Sequence, residues 1–370
     1  MRASNILNLG VKELRGLQRD PMLLLLILYA FTVAIYTAAR ALPETLNKAP
    51  IAIVDEDRSP LSSRIVSAFQ LPYFTKPQLI TAAEMDRRMD AGLDTFALDI
   101  PPNFQRDLLA GRSPTLQLNV DATRMTQAFN GSGYIQSIVT SEVNEFSQRY
   151  RAATTVPVEL VLRARFNPEL NKAWFGAVMN VINSITTLAI VLTGAALIRE
   201  REHGTIEHLL VMPITPAEIM ISKVWSMGLV VLVAAGLSVV FVVQSLLGVP
   251  IEGSVPLFLA GTALHLFATT SLGIVLATLA GSMPQFGLLL MLVLLPLQVL
   301  SGGMTPRESM PEFVQTIMLA APNTHFVMLA QAILYRGAGL SVVWPQFLTL
   351  AVIGAALFTF ALARFRKSLK

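Results

Sequence analysis

The sequence predicts an α-helical membrane protein with six transmembrane helices and a small α/β domain inserted on the extracytoplasmic side. Three observations predict it. Hydrophobic residues make up 53% of the chain and charged residues 14%, and the mean hydropathy of +0.58 lies well above that of an ordinary soluble domain. Six uncharged apolar runs are each long enough to cross a hydrocarbon core of roughly 30 Å as a helix. Between the first two runs the pattern changes to short alternating and helical segments typical of a water-soluble fold.

Residues 1–20 read as a cytoplasmic interfacial helix. Leu7, Val11, Leu14 and Leu17 share one face, and Lys12, Arg15 and Arg19 form another suited to anionic membrane lipid. Asp20-Pro21 ends that helix and turns the chain inward. The first span covers 21–40, around the run Met22–Ala39. It stays as an anchor, because Arg40-Ala-Leu-Pro-Glu44 lacks the small residues of a signal-peptide cleavage site.

Residues 41–173 are long enough to fold as a domain. Ile51–Asp55, Thr95–Ile100 and Leu116–Val120 read as strands, the last with Gln117 and Asn119 outward. Pro60–Gln70, Ala82–Ala91 and Asn103–Ala110 read as helices. A long helix follows Asp121, with Ile135, Ile138, Val139, Val143 and Phe146 at helical spacing and a bend at Gly131-Ser-Gly133.

The second span covers 174–198. The cytoplasmic segment 199–223 contains REREHGTIEHLLVMPITPAE: Gly204 ends the span, Thr205 caps a short helix, and Pro213 stops it. Leu209 and Leu210 give that helix an apolar face, which headgroups, the protein's own spans or a partner could cover. Thr215-Pro-Ala-Glu218 is a capping box with proline at the first helical position, opening the third span over 224–247. The remaining spans are 257–280, 286–304 and 346–363, with an extracytoplasmic loop bearing short helices at 305–345 and a cytoplasmic tail at 364–370.

Charge sets the expected topology. Arg2, Lys12, Arg15, Arg19, Arg199, Arg201, Lys223, Arg364, Arg366, Lys367 and Lys370 flank one side, whereas Gly248–Pro256 has no basic residue and Thr305–Pro345 has only Arg307 and Arg336. Both termini are therefore expected inside. A formal charge of +4 gathered beside spans argues against a nucleic-acid surface.

Several chemistries find no motif. The chain has no cysteine, so disulfides, iron–sulfur clusters and thiolate metal sites are excluded. His203 and His208 flank Glu207 without the His-Glu-x-x-His order of a zinc site. There is no Gly-x-x-x-x-Gly-Lys-Ser/Thr phosphate loop, no Ser/His/Asp arrangement, and Asp55-Glu-Asp57 reads as a turn after a strand. The apolar runs of the spans, the first taken as Met22–Ala39, hold no Asp, Glu, Lys or Arg, and His265 reads as a helix-packing partner. Neither catalytic nor metal residues are expected, and a transporter of this make must draw its energy from another subunit.

At several separate places the chain resembles the ABC-2 type permeases, membrane subunits of ATP-binding-cassette exporters. Lys12-Glu-Leu with Leu17-Gln-Arg-Asp-Pro21 is similar to the family's interfacial helix, and Asn167-Pro-Glu-Leu170 to its approach to the second span. Arg199-Glu-Arg-Glu, Gly204–Leu210 and Pro213-Ile-Thr-Pro216 resemble its coupling segment. Ser301–Pro306, Met310-Pro311 and Pro322–Phe326 resemble its segment before the last span. Where many members carry Pro-Gly, this chain reads Gly176-Ala-Val-Met-Asn180, so a different bend is expected there.

The resemblance implies a multidrug-type exporter of the bacterial inner membrane, moving small amphipathic compounds. It implies ABC ATPase subunits docked at Gly204, Thr205, Ile206, Glu207, Leu209 and Leu210, with ATP and Mg on those subunits and no cofactor on this chain. A second permease copy or paralogue is implied as a dimer mate, and a periplasmic adaptor protein is compatible with it. Asn180, Asn183, Ser184, Gln244 and Gln298 are the polar span residues for cargo contact, with helix–helix hydrogen bonding as the alternative. A membrane-anchored ligand sensor using 41–173, or an ion-coupled secondary carrier, are the competing functions.

Overall fold

The computed structural model describes residues 2–41, 46, 48–121, 125–150, 172–202, 204, 214–305 and 307–368. The chain forms two compact units, Met1–Leu42 with Ala164–Lys370, and Pro43–Arg163.

The first unit is helical. It begins with α1 (Ala3–Gln18), α2 (Pro21–Phe31) and α3 (Val33–Ala41). The Asp20 carboxylate caps α2 by accepting from Leu23 N at 3.1 Å. After the other unit come α8 (Lys172–Glu202), α9 (Pro216–Leu237), which continues as a π-helix over Ser238–Leu246, α10 (Val255–Leu279), α11 (Met283–Val299), α12 (Glu312–Met318), α13 (Pro322–Leu334) and α14 (Leu340–Ser368). The helix α8 runs unbroken through Gly176.

Among the described residues five helices are long and apolar enough to cross a membrane: Pro21–Arg40, Trp174–Glu202, Pro216–Leu246, Val255–Leu279 and Leu340–Lys367. A sixth span results if α12 and α13, bent by 88° at their junction, count as one. The protein is thus a helical, multi-pass membrane protein. Two segments differ in extent or burial from what local pattern suggests. The run at 286–304 forms a helix of only 17 residues, about 25 Å long and short for a full crossing. The stretch expected as an outer loop at 305–345 contains α13, which is buried almost throughout, from Pro322 to Leu334.

Two irregularities meet in the span core. The chain breaks between α2 and α3 at Thr32, and the Phe31 carbonyl there accepts from Ser238 Oγ at 2.7 Å, where α9 passes into its π turn. The break at Thr32 frees the Phe31 carbonyl, and the Ser238 hydroxyl across the interface supplies its partner.

The second unit holds a four-stranded sheet in the order β2-β1-β3-β4, with β1 (Ile51–Asp55), β2 (Gln78–Ile80), β3 (Phe96–Ile100) and β4 (Gln117–Val120). β1 lies parallel to β2 and β3, and β3 antiparallel to β4, with Ile53 opposite Leu98 and Leu98 opposite Leu118. The parallel strands require crossover helices, supplied by α4 (Pro60–Ala68) and α5 (Ala82–Asp90). A short α6 (Phe104–Leu109) and the long α7 (Met125–Tyr150) complete the unit. Ile51, Ile53, Leu61, Ile65, Phe69, Phe74, Phe96, Leu98 and Ile135 form its core. Asp55 accepts from Arg58 N and Ser62 Oγ, which makes the acidic run a structural turn. Gly131 does not bend α7: a Cβ there would stand 2.2 Å from Phe96 Cζ, so the glycine admits the ring.

Candidate coupling and cargo sites

The residues expected to couple lie between α8 and α9. Gly204 follows α8 with a positive φ of 65°, a conformation that favours glycine, and so ends the helix where expected. Thr205, Ile206, Glu207, Leu209 and Leu210 lie outside the described residues, as do His203, His208 and Asn167–Leu170. Both stems of the segment are described. Thr215 caps α9, with its amide 2.7 Å from Glu218 Oε2, and Glu218 N donates back to Thr215 Oγ1 at 3.4 Å. The same Glu218 carboxylate accepts from Arg2 N at 2.5 Å, tying the start of α1 to the start of α9.

The stems converge on one buried cation. Lys223 Nζ, on a side chain 1% exposed, lies 3.0 Å from Glu13 Oε1 and 2.8 Å from Glu200 Oε2. Lys12 adds a second cation 3.0 Å from Glu200 Oε1, and Arg199 pairs with Asp20 at 2.7 Å. Arg201 donates to the carbonyls of Ala277 and Ala280 at the end of α10, and Glu202 accepts from Met283 N at the start of α11. Thus α1, α8, α9, α10 and α11 are all tied by charge to the stems of one segment. Burial dominates at Glu13 and raises its pKa above the ordinary carboxylate value despite the adjacent ammonium.

Packing fixes α1 in this place. A Cβ on Gly10 would stand 2.1 Å from the Trp225 ring, and Trp225 Nε1 donates to Ile6 O at 3.2 Å. The buried face of α1 therefore runs through Gly10 and Leu17, with Glu13 between them. The expected apolar face divides. Leu17 is buried, while Leu7 and Val11 stay exposed. Lys12, expected to face lipid, is instead engaged with Glu200.

By sequence Lys223 reads as a topology marker, whereas the structure buries it between Glu13 and Glu200. Its position held the signal: it shares a helical face with Ile219 four residues before and Met227 four after, both buried. A lysine in an apolar stripe calls for a buried carboxylate.

Of the cargo candidates, Asn180 Nδ2 donates to Ala34 O at 3.4 Å and Ser184 Oγ to Ala30 O at 3.2 Å, one helical turn apart, so both fasten the first span to α8. Gln298 donates to Thr187 Oγ1 at 2.9 Å. Gln244 is half-buried in the π segment. Asn183 differs, because its Oδ1 is buried without a hydrogen-bond partner. His265 is stacked on Phe326 at 4.0 Å and joined at 2.9 Å to Thr186 Oγ1, which donates to Asn323 Oδ1 at 2.7 Å. Asn323 in turn donates to Leu297 O and Ser301 Oγ, both at 2.8 Å. This network fixes the polar first turn of α13 inside the apolar bundle.

Comparison with known proteins identifies the family. The model of the ABC-2 family transporter protein matches residues 21–363. The chain belongs to the ABC-2 transporter family. It is 66% identical over 365 residues to the Inner membrane transport permease YhhJ of Escherichia coli (strain K12), covering 99% of this chain and 98% of that protein. It is 28% identical over 359 residues, 96% of each chain, to the "Probable multidrug ABC transporter permease YbhR" of the same organism. With YbhS, another protein of that description, identity is 24% over 337 residues. The chain is thus an ABC-2 type permease, a transport subunit rather than an enzyme, and its family works in general with ABC ATPases.

Proposed function

We propose that this permease exports a small amphipathic compound, a drug, toxin or metabolite, across the bacterial inner membrane, driven by a separate ATPase. The ATPase seats on 204–210, and ATP and Mg act on that partner. A second permease, identical or related, completes the pathway. Residues 1–20, 199–223 and 364–370 face the cytoplasm, and Pro43–Arg163 lies outside. The observation that carries this reading is the buried Lys223 on the α9 stem, which pairs with Glu200 on the α8 stem and with Glu13 on α1. A push on that segment moves α8, α9 and the interfacial helix α1 together, whereas a sensor whose outer domain drives the signal has no need of such a clamp. Asn183, with its unspent buried oxygen beside the Thr187–Gln298 pair, is the residue best suited to meet cargo.

Purification of the tagged permease from its native membranes tests the proposal. A stoichiometric ATPase supports it. Reproducible recovery without one favours the sensor or an ion-coupled carrier.

A further inference from the structure

Far from Lys223, about 37 Å along α8, the bundle holds a cavity of ≈ 670 Å³ whose lining includes Phe175, Met304, Arg307, Gln315, Gln331 and Arg336. A second hollow of ≈ 310 Å³ shares Phe175, Gln331 and Arg336 with it and adds Trp174, Val249 and Tyr335. Among the described side chains no carboxylate lines either one.

Arg307 is under-satisfied. Arg307 Nε is buried with no hydrogen-bond partner. Its other nitrogens make only long contacts, 3.7 Å to Met328 Sδ and 3.4 Å to Gln315 O. Among the described residues neither Arg307 nor Arg336 has an acidic partner. A guanidinium so placed retains unspent donors suited to an oxyanion. The other side of the joined hollow is an aromatic shelf, where Phe175 and Tyr335 stack at 5.8 Å beside Trp174. Cationic donors next to an aromatic shelf match a molecule with an acidic head and an apolar body.

We propose that this joined cavity binds the anionic head of an amphipathic molecule, a carboxylate, sulfonate or phosphate on an apolar body. As a statement about cargo it rests on the exporter reading and adds charge to it; as a binding site it stands alone. Two sources supply this chemistry, a soluble amphiphile passing outward or an anionic phospholipid of the surrounding leaflet.

The absence of cysteine makes the test direct. Met304, 68% exposed at the cavity, is changed by Met304→Cys to give a single thiol. The full permease, in phosphatidylcholine nanodiscs without ATPase, is treated with sulfonate-bearing and trimethylammonium-bearing methanethiosulfonates, each rate being divided by that with free cysteine. An arginine about 8 Å away concentrates a monovalent anion about threefold in a half-aqueous mouth. Two arginines acting oppositely on the two reagents give a normalised anion-to-cation ratio above about ten.

Arg307→Gln with Arg336→Gln should bring the ratio close to unity, and Arg307→Lys with Arg336→Lys should keep it. Taurocholate below its micelle concentration should protect the thiol, and the neutral steroid cortisol should not. Protection already present in phosphatidylglycerol nanodiscs identifies lipid as the occupant; protection by taurocholate alone identifies a soluble amphiphile. A parental ratio near unity, an unchanged ratio in the double glutamine variant, a ratio lost in the double lysine variant, or equal protection by cortisol overturns the proposal. None of these readouts needs the ATPase, so their failure leaves the coupling segment's role untouched.

Discussion

Lys223→Met removes the buried cation that ties the α9 stem of the proposed coupling segment to Glu200 on its α8 stem, while keeping a long apolar side chain. Glu13 and Glu200, 12% and 11% exposed, would then lose the buried ammonium and keep Lys12 as a shared neighbour, which is 54% exposed and partly screened by water. Breaking a buried ion pair by removing one partner costs roughly 3–5 kcal/mol, since the remaining charge is desolvated and unpaired. In a unit of this size such a loss lowers the melting temperature on the order of 10 °C. The assay is thermal unfolding of the purified permease in detergent, followed by tryptophan fluorescence.

Acid should narrow the gap. Glu13 has a raised folded pKa, so its protonated form favours folding, and that contribution is present at low pH and lost as pH rises through the folded value. Without its ammonium the pKa moves higher still. The difference between variant and parent should therefore shrink as the pH falls through the raised Glu13 value. Adding Glu13→Gln and Glu200→Gln to Lys223→Met should restore most of the loss, because no buried charge then lacks a partner. An unchanged melting temperature in Lys223→Met, or no recovery in the triple variant, would refute the reasoning.

Gly10→Val drives a side chain into the Trp225 ring and should lower stability by about 1–3 kcal/mol, with increased protease cleavage of α1 while the spans stay intact. Asn323→Ala removes the centre of the network linking Thr186, Leu297 and Ser301. It should cost about 1–3 kcal/mol, read as a lower melting temperature. The segment Pro43–Arg163 expressed alone should unfold cooperatively in urea, and Gly131→Leu should shift that transition to lower urea by crowding Phe96.

Much of the fold can be read from local pattern. Long uncharged runs mark the helices beginning at Pro21, Trp174, Pro216, Val255 and Leu340, because a backbone in lipid has no alternative to a helix. Thr215 and Glu218 announce their capping box from three residues of spacing. What escaped is set by contacts between distant residues. The strand at Gln78–Ile80 is too short for alternation to register, and it exists through its pairing with Ala52–Val54. The helix at Pro322–Leu334 carries Asn323, Thr324 and His325, so its polarity hid its burial; the partners that permit it, Thr186, Leu297, Ser301 and Leu319, lie on other elements. The candidate site was legible as a segment rather than as a mechanism, since a lysine beside a span looks the same whether it meets headgroups or Glu13 and Glu200.

Leu209→Asp, compared with Glu207→Lys in the same tagged permease, tests the central claim most directly. If Leu209 sits in an ATPase groove, an aspartate there places a charge in a desolvated contact at a cost on the order of several kcal/mol, enough to lower occupancy by orders of magnitude. The account predicts that Leu209→Asp inserts normally yet purifies without its ATPase and does not transport, while Glu207→Lys, on the polar side of the helix, keeps most of both. Leu209→Asp retaining its ATPase and full transport would contradict the account.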